Sequence, residues 1–374
     1  MVTGQDRGIV TAVSYSAKAL GITRGLPIFR VKRDYPNVII LPGDYPSYVH
    51  YSGLMFDIVR RYADDVEEYS IDECFADITG LDKPLKMTYR EIAERIKKEI
   101  NEELDLSISV GVAPTKSLAK VASKWVKPNG LTVIEKETAH NFLERTPIEK
   151  IWGIGNQTSI FLKKRGIKTA VDFACKKREW VEENLSKPYK AIWYELNAIP
   201  IMEVDPLPKL LYSSIQKTQT FRPPSNDKIF LLSQLSGHIE DACAKARRYD
   251  LVPKSISFFL KTQDFRYVSR SLHLACATNA PEAIIHLAHI ELEKMHVKDV
   301  LYRTAGVGLH GLVPGKAYQG DLFGGTAKAG KFEEIHKRMD VLEKKWGRKM
   351  VWVGSSGSDG NDKMSEMKGD KLFL

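Results

Sequence analysis

The chain has 374 residues, of which 43% are apolar, and 56 basic against 47 acidic side chains give it a net charge of +9. This length predicts two or three domains with ordinary packed cores. No apolar run approaches the roughly 18 residues that a membrane-spanning helix needs, and the first residues lack the pattern of a signal peptide. The four cysteines lie too far apart for a CxxC metal site or a disulfide framework. We therefore expect a cytoplasmic protein without a membrane partner.

The first 137 residues alternate strand and helix signals, which indicates an α+β or α/β layer. In chain order, the sequence predicts a strand at 37–41, a hairpin at 68–80, a helix at 87–104, a strand at 106–113 and a helix at 115–126.

The sequence after residue 137 predicts a helical segment, then a mixed strand and helix pattern, and then a polar tail. A helical segment is predicted over 138–205, and "EVDPLPK" at 203–209, with two prolines, is typical of a linker. Residues 210–313 predict the order β-α-β-β-α-β of small ferredoxin-like domains. The tail from Pro314 is rich in Gly, Lys and Ser, and it contains one short predicted helix and a strand-like "KMVWVG" at 349–354.

The positive charge is concentrated in one segment. Residues 209–270 hold eleven basic and five acidic side chains, a net of +6. Such an excess is typical of a surface that binds a polyanion such as nucleic acid. A basic surface that only keeps the protein soluble explains the charge equally well.

The stretch "EYSIDECFADITG" at 68–80 holds two neighbouring carboxylates, Asp72 and Glu73, between apolar runs that both predict strand. Asp-Glu is not the Asn-Gly or Asp-Gly pair that a tight hairpin turn prefers, so turn geometry does not account for it. One interpretation is a pair of solvated loop charges. The other is a divalent-cation site, because Mg²⁺ takes one or two carboxylates together with substrate phosphates, and adjacent acids can share two ions.

Two further segments carry binding signals. "IWGIGNQTSIFLKKRGIKTAVDFA" at 151–174 resembles a helix-hairpin-helix module, in which a glycine turn (here Gly153 and Gly155) lets backbone N–H groups approach a DNA phosphate, with Lys163 and Lys164 nearby. A plain turn is the alternative. "YQGDLFGG" at 318–325 is a polar segment with two adjacent apolar residues, and its flanking glycines favour docking into a partner's pocket over folding back onto a core.

Taken in this order, the segments resemble the Y-family translesion DNA polymerases, which include bacterial DNA polymerase IV and the polymerase V catalytic subunit. The most specific match is "SIDE" at 70–73 followed by "GVAPTKSLAKVASKWVKPNG" at 111–130, at close to the family spacing. The resemblance covers nearly the whole chain. It implies a multidomain α+β fold with a mixed-sheet palm, small fingers, a helix-hairpin-helix thumb and a ferredoxin-like βαββαβ little finger. The implied bounds are fingers 1–44, palm 45–137, thumb 138–206, little finger 207–313 and a tail with a clamp-binding motif 314–374.

The resemblance also implies the chemistry of a DNA-directed DNA polymerase in translesion synthesis, DNA repair and the SOS response. Asp72 would bridge two Mg²⁺ ions, and Glu73 would ligate the ion that activates the primer 3′-hydroxyl. Tyr15 and Lys18 occupy the family's Tyr-x-Ala-Arg motif on the incoming triphosphate, with lysine in place of arginine. Lys127 matches a second triphosphate contact.

The implied partners are primer-template DNA, a deoxynucleoside triphosphate (dNTP) and a sliding clamp. The +6 segment falls where the family's little finger tracks the duplex, which predicts salt-sensitive binding without sequence preference. The tail at 339–357 looks more like that of the polymerase V subunit, which would bring accessory subunits. The clamp motif is matched by Gln319, Leu322 and Phe323.

One feature of the family is missing from this pattern. Its acid-bearing first strand, D-x-x-x-F-[YF]-A, lies some tens of residues before the Tyr-x-Ala-Arg motif, whereas only fourteen residues precede Tyr15. Asp6 is no substitute, because it falls where the family has its second strand. We therefore expect a reading frame that starts upstream, and weak or absent synthesis by the chain alone.

Two other functions fit parts of the pattern. A clamp-tethered DNA-binding protein would keep the DNA-binding segments and perform no chemistry. A palm-type nucleotide cyclase is disfavoured, since a small-molecule cyclase has no use for the DNA-binding segments downstream of the acids.

Overall fold

The computed structural model describes residues 1–4, 8–207, 212–315, 325–347 and 349–356. The chain divides into two compact units, residues 1–208 and 209–374. Helices and sheets are mixed in both units, so the predicted α+β class is confirmed. None of the helices in the described ranges is both long enough and apolar enough to span a bilayer.

The first unit begins with a small sheet and two short helices. The elements are β1 (Val2–Thr3), β2 (Ala12–Val13), α1 (Tyr15–Ala19), α2 (Ile28–Asp34) and β3 (Ile40–Leu41). β1 pairs antiparallel with β2 and parallel with β3. Buried side chains of α1 and α2, among them Ala17, Ile28 and Val31, form a small core with Val2 of β1.

The next part of this unit carries the two acids. Its elements are α3 (Tyr45–Arg60), β4 (Val66–Ser70), β5 (Glu73–Ala76), α4 (Asp82–Leu85), α5 (Tyr89–Leu104), β6 (Val110–Val112), α6 (Lys116–Trp125) and β7 (Leu131–Val133). β4 and β5 form an antiparallel hairpin, whereas β6 and β7 pair in parallel. The single mixed sheet predicted for this region is thus replaced by two separate two-stranded sheets, one antiparallel and one parallel. α5 buries Ile92, Ile96 and Ile100, spaced one turn apart, in the core that it shares with α3 and the hairpin.

The helical segment that completes the first unit is confirmed. It contains α7 (Ala139–Glu144), a 3-10 turn (Ile148–Lys150), α8 (Asn156–Lys163), α9 (Ala170–Ala174), α10 (Arg178–Asn184) and α11 (Lys187–Leu196). These helices share one core with α6, in which Leu118 and Val121 pack with Leu162 and Phe173. One face of α6 is therefore packed against the helical segment. Its other residues remain available for contacts with the β4–β5 hairpin.

The second unit has the predicted order β-α-β-β-α-β, followed by a long helix. The elements are β8 (Ser214–Ser225), α12 (Lys228–Arg248), β9 (Leu251–Thr262), β10 (Tyr267–His273), α13 (Pro281–Met295), β11 (Tyr302–Pro314) and α14 (Gly325–Trp346). The antiparallel sheet has the order β10-β9-β11-β8. Core side chains of α12 and α13 pack on one face of it with Ile256, Phe258 and Leu260 of β9.

The tail differs from the sequence prediction in two respects. The helix predicted as short has 22 residues, and the strand predicted at 349–354 is wrong, because residues 349–353 have no regular structure. The backbone N–H of Val353 donates to Glu240 Oε1 at 3.2 Å, so a buried carboxylate of α12 satisfies it instead of a neighbouring strand. Arg247 also holds α14, since it donates to both carboxylate oxygens of Asp340 at 2.7 and 2.8 Å.

Candidate active site

The hairpin β4–β5 brings Asp72 to its turn and makes Glu73 the first residue of β5. The Ser70 hydroxyl donates to Asp72 Oδ1 at 2.7 Å and accepts the Asp72 backbone N–H at 3.4 Å. The pairing register shifts between Glu68 and Ser70. The shift and the serine contact therefore close a turn that lacks the glycine such hairpins usually carry.

Helix α6 faces this hairpin with lysines one turn apart. Lys120 Nζ lies 2.6 Å from Glu73 Oε1, and Lys116 Nζ lies 2.5 Å from Glu67 Oε2. Both lysine side chains are nearly buried, with 12% and 11% of their surface exposed. Our sequence analysis did not identify these two residues as part of the site. Their spacing of four on a predicted helix was the available signal, because it puts both on one face.

A third lysine of α6 connects the acids to a predicted triphosphate contact. The pKa of Lys124 is lowered, mainly by burial and secondly by repulsion from Lys120. Lys127 and Lys150 lower this pKa further, and the Glu73 carboxylate raises it. Lys127 and Glu73 therefore act on the same ammonium group. Lys127, which follows the C-cap residue of α6, is therefore close enough to repel Lys124, and its role as a triphosphate contact stays a prediction.

Tyr15 and Lys18 form a separate exposed pair on α1. Ser14 caps this helix by accepting the Ala17 backbone N–H at 3.3 Å. Lys18 Nζ lies 4.6 Å from the centre of the Tyr15 ring, as in a cation–π contact. Within the described ranges, no hydrogen bond, ion pair or ring contact joins this pair to the acids of the hairpin. Its place in the site remains a prediction.

An aromatic cluster joins the hairpin to the loop before α8. The rings of Tyr69, Phe75 and Trp152 have centres 5.2 to 5.8 Å apart, and Trp152 Nε1 donates to the Tyr69 hydroxyl at 3.1 Å. Edge-to-face and tilted contacts at this spacing stabilise the packing beyond simple burial. The hairpin is thus braced against the predicted helix-hairpin-helix segment within the first unit.

The predicted DNA-binding turn has the expected glycine conformation at one position. Gly153 has φ +87°, a backbone conformation in which a side chain is strained, and a Cβ atom there would also have to displace the terminal methyl of Ile192, 2.8 Å away. Gly155 is the N-cap of α8. Lys163 pairs with Glu149 at 2.9 Å, whereas Lys164 ends α8 and is exposed. Of the two predicted lysines, Lys164 is the more accessible to a phosphate.

The donor set at the hairpin suits a hard divalent cation. Asp72 and Glu73 offer adjacent carboxylates, and the Lys120 ammonium beside Glu73 already stands where a cation is attracted. A group of three or more His, Cys, Asp or Glu side chains arranged for a metal does not occur in the ranges that the structure covers. Asp6 and the predicted clamp residues Gln319, Leu322 and Phe323 lie outside those ranges.

Comparisons with known proteins agree with this layout. The chain matches the impB/mucB/samB family over residues 1–124 and the C-terminal domain of that family over residues 212–322. It is 30% identical to DNA polymerase IV 1 of Bacillus subtilis (strain 168), over 94% of this chain and 84% of that protein. It is 31% identical to DNA polymerase IV of Xanthomonas oryzae pv. oryzae, over 86% and 90%.

Solved structures show the same fold. A Y-family DNA polymerase chimera of Dbh and Dpo4 matches with a TM-score of 0.70 at 24% identity, over 84% of this chain and 92% of that one. An insertion ternary complex of Dbh DNA polymerase matches the same shares with a TM-score of 0.52, also at 24% identity. The fold is that of a polymerase built from palm, fingers, thumb and little finger. The chain belongs to the Y-family DNA polymerases, and the resemblance inferred from its motifs is confirmed.

Proposed function

We propose that the chain is a template-directed DNA polymerase that performs translesion synthesis in DNA repair and the SOS response. The observation that carries this proposal is the pair Asp72 and Glu73 at a braced hairpin turn, with the Lys120 ammonium drawn to 2.6 Å from Glu73. The alternative interpretation, a pair of solvated loop acids, does not account for a nearly buried lysine placed against one of them. Family membership supports the same activity.

The proposed reaction adds a dNTP to a primer 3′ end. The primer hydroxyl attacks the α-phosphate, and pyrophosphate leaves. Asp72 and Glu73 would hold Mg²⁺, two ions by the family resemblance, and bound Mg²⁺ would neutralise charge that develops on the phosphates. Tyr15 and Lys18 would orient the triphosphate, and Lys127 would contact it from the end of α6.

Two surfaces support binding of the primer-template duplex. One is the glycine turn before α8, which offers backbone N–H groups to a phosphate. The other is the sheet face of the second unit that its helices leave open. Because strand residues alternate between faces, Ser257, Phe259 and Lys261 of β9 point to this face, opposite the core residues. Hydroxyl and basic side chains there suit contacts to the DNA backbone.

A second candidate function is DNA binding without synthesis. It is favoured by the acid count, since a group of three or more His, Cys, Asp or Glu side chains that could hold a metal is absent from the described ranges. A chain with too few metal ligands would still hold DNA through the two surfaces above.

Primer extension and DNA binding distinguish the two functions. Extension of a primed template in Mg²⁺ by the purified chain, even at the low rate expected from its sequence, would support the first function. Asp72→Ala should then lose extension while its DNA affinity stays equal or rises, because a negative charge beside the phosphates is removed. Asp64→Ala, which removes an exposed acid that precedes β4, is the matched control and should extend normally. DNA binding without extension by the unmodified chain would favour the second candidate. Normal extension by Asp72→Ala would refute the role of the acid pair.

We also propose a sliding clamp as partner, through Gln319, Leu322 and Phe323. Glycines on both sides and two adjacent apolar side chains support a docking segment. Replacement of Leu322 and Phe323 by alanine should abolish binding to a purified bacterial sliding clamp in surface plasmon resonance and leave primer extension without the clamp unchanged. Unchanged clamp binding would refute this partner. Polymerase V-type accessory subunits are a further predicted partner, which the same assay can test.

A further inference from the structure

The contact between Lys120 and Glu73 differs from an ordinary surface ion pair. Only 12% of the Lys120 side chain is exposed, against 37% of Glu73. A lysine so enclosed has lost most of its water, so it depends on the carboxylate for compensation. Most exposed pairs, by contrast, exchange freely with solvent and stabilise little.

Contacts at the start of α6 fix the helix segment that leads to Lys120. One turn earlier, Lys116 is held by Glu67 at 2.5 Å. The start of α6 is anchored by Thr115, whose side chain caps the helix, and by Glu195, which accepts the Ser117 backbone N–H at 2.9 Å. The next turn of this anchored helix carries Lys120, whose Nζ lies 2.6 Å from Glu73 Oε1.

A divalent ion and the Lys120 ammonium compete for the same carboxylate. An ion that binds Glu73 takes the oxygen lone pairs that now accept from Lys120. It would also lie within a few ångströms of the ammonium, where two like charges repel strongly in a partly enclosed site. The Asp72 carboxylate, which accepts a hydrogen bond from the Ser70 hydroxyl, offers the ion a second ligand.

We infer that Lys120 is a positioning residue that holds Glu73 in the metal-free chain and is displaced when a divalent ion binds. This inference rests on the proposed function, because it takes Glu73 as a ligand of that ion. Lys120 then acts as an internal counter-ion: it keeps two adjacent carboxylates from repelling each other, and it weakens metal binding until the ion arrives in sufficient concentration. The released ammonium would remain on α6 one helical turn before Lys124.

The test measures metal binding without DNA or nucleotide. Mn²⁺ serves as the probe, and its free concentration is followed by electron paramagnetic resonance as it is titrated into the full chain. Lys120→Gln should bind Mn²⁺ roughly fivefold more tightly than the unmodified chain, since loss of the ammonium removes both the competition and the repulsion. Lys116→Gln removes an equally buried lysine from the same helix face without touching Glu73, so it should bind like the unmodified chain. Lys120→Arg should restore the weaker affinity.

Several outcomes would overturn the inference. They are equal Mn²⁺ affinity in Lys120→Gln and the unmodified chain, weaker binding in Lys120→Gln, the same gain in Lys116→Gln, or no saturable binding in any of them. The Mn²⁺ titration is separate from the primer-extension assay. A chain that fails to extend a primer yet shows the Lys120→Gln gain would refute the proposed activity and keep this inference.

Discussion

Glu195 Oε2 accepts a hydrogen bond from the Ser117 backbone N–H at 2.9 Å, which links α11 to the first turn of α6. Its other oxygen, Oε1, accepts the backbone N–H groups of Ile201 and Met202, both at 3.1 Å. The Glu195 side chain is completely buried. One carboxylate thus satisfies three backbone donors, and it fixes the start of the helix that carries the site lysines.

Glu195→Ala should lower the free energy of unfolding of the first unit by about 3 kcal/mol or more, because three N–H groups would lose their acceptor inside the protein. Glu195→Gln should be intermediate, since its amide nitrogen cannot accept. Urea unfolding followed by circular dichroism measures both. Glu182→Ala is the control, because Glu182 forms an exposed pair with Lys190 and should cost less than about 0.5 kcal/mol. A loss for Glu195→Ala no larger than for the control would contradict this role.

Gly111→Ala should strongly destabilise the part of the first unit that contains β6 and α6. A Cβ atom at Gly111 would collide with the backbone of Ala119 and Ser123, so β6 and α6 would have to separate, at a cost of about 2 kcal/mol or more. Gly53→Ala is the contrasting variant, since Gly53 lies inside α3 with nothing within 4 Å of its added carbon. It should raise stability by roughly 0.5 to 1 kcal/mol. The thermal midpoints of the two variants should therefore move in opposite directions from that of the unmodified chain.

Lys18→Arg should lower the KM for dNTP and change kcat little. Lysine offers a single point charge, whereas arginine offers a planar fork that matches two phosphate oxygens. Steady-state primer extension at varied dNTP measures the change, and a decrease of several-fold is expected. Lys98→Arg, on the exposed face of α5, should leave KM unchanged. An equal or higher KM for Lys18→Arg would argue against a triphosphate contact at this position.

The second unit should lose stability above about pH 9. Burial raises the pKa of the Cys243 thiol to about 12 from an ordinary value of 9.0. Between these values the unfolded chain releases the proton and the folded chain retains it, so stability is complete below pH 9 and falls as the pH rises toward 12. Cys243→Ala should show a shallower alkaline decline in urea unfolding. Cys175→Ala, at an exposed position, should follow the unmodified chain, and parallel declines for all three would contradict the assignment.

Local patterns predicted much of the fold. The apolar alternation around Asp72 and Glu73 predicted the β4–β5 hairpin, and a period of 3.6 predicted α5, α6, α12 and α13. Boundaries were less accurate: β6 spans only Val110–Val112, because Leu106 and Ile108 contribute to the core outside the strand. The strand predicted at 349–354 was wrong because the backbone N–H of Val353 pairs with the Glu240 carboxylate, a contact that the local pattern does not report.

The candidate site was predicted only in part. The family resemblance proposed the acids and Lys127, and their roles stay predictions. The contact of Lys120 with Glu73 was missed, because the two residues are 47 apart and no local period reports a contact between them. Glu195 was missed for the same reason, since its three partners come from the first turn of α6 and the loop after α11. Polar contacts between residues far apart in the sequence depend on how the helices pack in three dimensions. Local sequence patterns do not predict that packing.

The aromatic cluster has a mechanical consequence. Trp152 is the immediate neighbour of Gly153, at the turn that would grip a DNA phosphate, and its indole is bonded to Tyr69, two residues before the turn that carries Asp72. The loop before α8 is therefore in direct contact with the strand that leads into the acid turn, so a substitution that removes one of these rings would loosen both elements together.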